Sequence, residues 1–67
     1  MAHPDEAALT SVQTDLEKLV DRLVAIADAH RVDPDDPLTP QLDEVERALV
    51  STSRRLERTI RSLDALP

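Results

Sequence analysis

The side chains of this sequence that could do chemistry sit in three places. They are His3 and His30, the aspartates Asp33, Asp35 and Asp36, and a row of arginines at Arg47, Arg54, Arg58 and Arg61. Acid–base or nucleophilic work needs a histidine, thiolate or raised carboxylate within reach of its partner. The chain has no cysteine and no tyrosine, and Ser11, Ser51, Ser53 and Ser62 have no histidine at helical reach. Bundle di-metal sites draw Glu and Glu-x-x-His from facing helices, and no Glu-x-x-His occurs here. The expectation is a chain that is not an enzyme, with no catalytic residues, no metal site and no cofactor.

Asp33, Asp35 and Asp36 have the look of a calcium loop, but the central glycine and the bidentate glutamate at its twelfth position are missing. With Pro34 and Pro37 among them, a solvated turn is the expected role. His30 falls near the end of a helical stretch. It could act as a pH switch or a ligand, or it could simply end a helix, where the dipole favours a positive group.

The arginines are the best candidate partner surface. Arg47, Arg54 and Arg61 recur every seven residues, with Arg58 beside them, so they share one helix face. A guanidinium fork grips carboxylates and phosphates alike. The competing reading is a solvated face, on which Asp43 pairs with Arg47 and Glu57 with Arg61 across one turn. Nucleic acid is the disfavoured partner: net charge is −6, no Phe, Tyr or Trp is present to stack on a base, and no glycine-bearing motif is present. An acidic helical protein is the better match.

The elements that must position these groups are written in the apolar spacing. Leu9, Val12, Leu16, Leu19, Leu23, Ile26 and His30 follow a 3-4-3-4 step, as do Leu42, Val45, Leu49, Thr52, Leu56, Thr59, Leu63 and Leu66. Such a step lines one stripe of a helix and favours coiled-coil packing. Between the stripes, Pro34, Pro37 and Pro40 stand among three aspartates and stop any helix. Thr39 before Pro40 reads as an N-cap with proline at the first helical position. Helix 1 is therefore expected at about 5–30, a Pro/Asp-rich loop at about 31–39 and helix 2 at about 40–65. A short linker favours antiparallel neighbours, which sets Ile26 near Val45. The fold class is all-α: one domain over 1–67, an antiparallel two-helix hairpin of coiled-coil type.

A chain of 67 residues without cysteine lacks the disulfides that staple many domains of its size. It also lacks glycine and every aromatic residue, so its core is limited to Leu, Val, Ile and Ala. The apolar arc is wider than one seam needs, because Val20, Val24 and Ala27 flank Leu23, and Ala48, Val50 and Ile60 widen helix 2. A wide arc suits a helix with two neighbours. Two hairpins about a two-fold axis, forming a four-helix bundle, are the simplest closed arrangement. The expected self-association seam is Leu9, Val12, Leu16, Leu19, Leu23, Ile26, Leu42, Val45, Leu49, Leu56, Ile60 and Leu63.

Charge and hydropathy set the setting. No apolar run approaches a membrane span, and Met-Ala-His-Pro-Asp-Glu has neither the basic nor the apolar part of a signal peptide. A small acidic cytoplasmic protein without membrane contact is expected. Its expected function is protein binding: a homodimeric module that scaffolds or regulates a larger partner. The alternatives are a nucleic-acid-binding regulator using Arg47, Arg54 and Arg61, and a docking subunit of a multienzyme system.

Overall fold

Prolines and aspartates divide the chain, and the apolar steps on either side become two long helices. The computed structural model describes residues 3–65. Helix α1 spans Glu6–His30, α2 spans Leu38–Arg61, and a 3-10 turn follows at Leu63–Ala65. Leu66, expected to end the second stripe, lies outside the described residues.

The start of α2 differs from expectation. Asp36, ahead of Pro37, takes the amide of Leu38 on its Oδ1 at 2.8 Å, so the helix begins earlier than Thr39 would have placed it. Thr39 sits inside the first turn, and its Oγ1 is buried without a partner. Pro40 is tolerated there because first-turn amides have no acceptor within the helix. The end of α2 is also earlier than expected. The amide of Ser62 donates to both Arg58 O and Thr59 O at 3.1 Å, which tightens the last turn toward 3-10 geometry.

The helices pack side by side as a hairpin measuring 52 × 16 × 10 Å. Its radius of gyration is 15.7 Å, against roughly 11 Å for a compact domain of this length. A rod two helices wide has little interior. Among the described residues only Ala27, at 0% exposure, and Leu63, at 6%, are buried.

The seam between the helices is rotated from the expected one. Leu9, Leu16 and Leu23 of α1 and Leu42, Leu49, Leu56, Ile60 and Leu63 of α2 are buried or half-buried, as that stripe requires. Val12, Leu19, Ile26 and Val45 are not: each is about half exposed, at 50%, 50%, 50% and 49%. Their places are taken by Gln13, Val20, Ala27, Glu46 and Ser53, all buried or half-buried. Gln13 Nε2 donates to Ser53 Oγ at 2.7 Å, a cross-helix bond available only in this rotation. Ala27 lets the backbones approach where a larger side chain would hold them apart.

Candidate functional site

The rotation gives the hairpin two unlike faces. One carries Leu19, Leu23, Ile26, Val45 and Leu49, which line a shallow cleft along the groove between the helices, with Arg22 at its rim. Ile26 and Val45 thus lie together, as the antiparallel pairing predicts. Val12 continues the stripe one heptad earlier on α1 and is equally exposed. Among the described residues, Arg22 is the one charged group lining this groove. The opposite groove is lined by Gln13, Glu17, Val20, Asp21, Val50, Ser53, Arg54 and Glu57. The same two helices therefore present an apolar face and a polar one.

The polar interruptions of α2 divide between these surroundings. Thr59 Oγ1 donates back to Arg55 O, one turn earlier, at 2.9 Å. Ser53 Oγ accepts from Gln13 Nε2 across the helices. Gln13 Oε1 remains buried without a partner, so this layer is only part-satisfied.

At the loop end, short-range polar contacts hold the turn. His30 Nδ1 donates to Asp36 Oδ2 at 2.6 Å, and Asp36 Oδ1 accepts the amide of Leu38, the first residue of α2. Asp33 Oδ1 accepts the amide of Asp35 at 3.0 Å, an Asx turn. Arg31 forks onto both oxygens of Asp43 at 2.9 and 3.0 Å and lies 3.5 Å from Asp28. The hydrogen bond from His30 and the amide of Leu38 hold the Asp36 carboxyl below the usual range, and Arg31 does the same for Asp43. The aspartates are structural clasps of the turn, and His30 is one of their partners.

This clasp changes the arginine surface. Asp43, expected to pair with Arg47, is taken by Arg31. Glu57 pairs with Arg61 at 3.1 Å, as its spacing predicts. Arg47, Arg54 and Arg58 make no ion pair among the described residues, and they lie along one cleft on α2 with Glu46, Val50 and Ser51. Of the four candidate arginines, the structure brings three together, and Arg61 is neutralised within its own helix.

The sequence does not mark Gln13 as a seam residue, because the apolar stripe beside it is more regular. The signal lay in Ala27 and Gln13, which share a face with Leu16 and Val20 at the same 3-4 step. Among the described residues, no helix is long and apolar enough to cross a membrane. No known protein family, curated protein or solved structure matches this chain.

Proposed function

We propose that the chain is a non-enzymatic protein-interaction module that self-associates through its apolar face, two hairpins closing into a four-helix bundle that serves as an assembly platform for a larger partner. One observation carries this reading: Val12, Leu19, Ile26 and Val45 stand half exposed on a single face, while the opposite groove is polar and charged. Scattered exposed aliphatics need no explanation, but a continuous stripe marks an interface.

The surface area supports it. The hairpin exposes 5213 Å², where a compact monomer of 7.4 kDa exposes roughly 4200 Å². The excess, on the order of 1000 Å², matches the roughly 800 Å² that each partner contributes to a standard interface. A two-fold axis lets the same stripe meet itself, covers both copies at once and leaves no apolar face open for further growth.

Light scattering after size exclusion tests the reading. The expected species has twice the 7.4 kDa mass of one chain and loses helicity on dilution. A well-folded monomer at every concentration overturns it.

A further inference from the structure

We infer that the cleft formed by Arg47, Arg54 and Arg58 on the outer side of α2 is a docking site for an acidic amphipathic helix of another protein. This rests on the reading of the chain as an interaction module, and it names the chemistry of the partner.

The first support is the disposal of local acids. An exposed arginine in an acidic chain ordinarily finds a carboxylate one turn away. Here Asp43, one turn before Arg47, is locked in the two-pronged contact with Arg31. Glu57, three residues after Arg54, is engaged by Arg61. The residue one turn before Arg58 is Arg54 itself. Three guanidinium groups thus stand side by side without an ion pair among the described residues, with Glu46 the one carboxylate lining their cleft. Like charges held together on one helix repel, and a carboxylate-bearing partner relieves that repulsion.

The second support is the shape and lining of the cleft. Arg47 and Arg54 are two helical turns apart, about 10.5 Å along the axis. Acids spaced seven residues apart on a helix lying alongside α2 meet both. Between the arginines, Val50 is half-buried and offers an apolar contact, and Ser51 supplies a hydroxyl. A phosphate backbone has no apolar group to place on Val50 and meets the carboxylate of Glu46 at the cleft wall. An amphipathic helix suits both features.

The third support is position. Val50 and Arg54 also border the polar groove, and none of the cleft residues lines the apolar one. A second copy seated on the apolar face leaves the arginine cleft open, so each copy of a dimer carries one.

The test uses a fluorescent helical peptide with glutamates every seven residues and a leucine between them, titrated by anisotropy against the full chain. The expected result is saturable binding that weakens at least tenfold in the Arg47→Gln/Arg54→Gln/Arg58→Gln variant, while the variant's mass by light scattering stays that of the wild type. Replacing the peptide's leucine with serine, charge unchanged, is expected to weaken binding several-fold, because it removes the contact to Val50. Absence of binding overturns the inference, as does binding that the triple variant retains. A twenty-base-pair DNA duplex serves as the second probe. Arginine-dependent duplex binding tighter than that of the peptide also overturns it, in favour of phosphate recognition. Failure of self-association appears separately, as a monomeric mass in the wild type.

Discussion

The two grooves of the hairpin are built by the same two helices and differ in almost every property. One is lined by leucine, isoleucine and valine with a single arginine at its edge. The other holds Glu17, Asp21, Arg54 and Glu57 around a Gln13–Ser53 bond. The difference teaches that the widest apolar stripe of a helix need not face its nearest neighbour in sequence. Joining α1 to α2 uses Leu9, Leu16, Leu23, Leu42, Leu49, Leu56, Ile60 and Leu63 together with Gln13, Ala27 and Ser53. Val12, Leu19, Ile26 and Val45 stay on the outside, where only another body can cover them.

The largest expected effect comes from placing a charge on the apolar side. Leu19→Asp puts a carboxylate into the apolar centre of the proposed interface, only partly offset by Arg22 at the rim, a cost of roughly 3 kcal/mol or more, or about 100-fold or more in dissociation constant. Because the isolated hairpin buries so little, helicity measured by circular dichroism is expected to fall with assembly. The control change Thr14→Asp, at an exposed α1 position that lines neither groove, is expected to leave both readouts within about 0.5 kcal/mol of wild type. Equal effects of the two changes would erase the distinction between the apolar face and the rest of the surface.

A smaller effect probes the polar layer inside the hairpin. Ser53→Ala leaves Gln13 Nε2 without its cross-helix acceptor and is expected to cost about 1–2 kcal/mol in thermal unfolding. The double change Gln13→Leu/Ser53→Ala removes both partners and is expected to be neutral or stabilising by about 1 kcal/mol. A double variant less stable than the single one would show that the layer contributes more than its register.

The loop end gives a pH signature. Asp36 and Asp43 hold their protons less tightly in the folded chain than they would free. Their contribution is therefore present above the usual carboxylate range near pH 4 and is lost as pH falls through the depressed folded values. Acid titration of wild type is expected to show fraying of the loop end below about pH 4, and Arg31→Gln is expected to move the Asp43 part of that transition upward in pH. No upward movement would mean that the Arg31–Asp43 fork does not persist in solution. The smallest stability effect belongs to the arginine cleft, where the triple change to glutamine is expected to alter melting by no more than about 0.5 kcal/mol.

Much of the fold was legible in the sequence. The 3-4 spacing of leucines and the run of Pro34, Pro37 and Pro40 are local signals, and they specify two helices and their junction. The rotation of the helices was not legible, because Leu9, Leu16, Leu23, Leu42, Leu49 and Leu56 belong to both possible seams. The choice between seams depends on Ala27 allowing close approach and on Gln13 meeting Ser53 forty residues away, neither of which periodicity reports. The arginine row was visible as a pattern. Which of its members lack an ion pair among the described residues was not, since that turns on Arg31 reaching Asp43 across the loop.

The most direct test of the central claim exploits the absence of cysteine in the natural chain. Single thiols placed by Ile26→Cys on the apolar face and Ser51→Cys on the arginine side can be compared for their rate of maleimide labelling across protein concentrations. The account predicts that Ile26→Cys becomes protected at least tenfold as concentration rises, while Ser51→Cys labels at a constant, rapid rate. Rapid labelling of Ile26→Cys at every concentration, in a chain that remains helical, would contradict it.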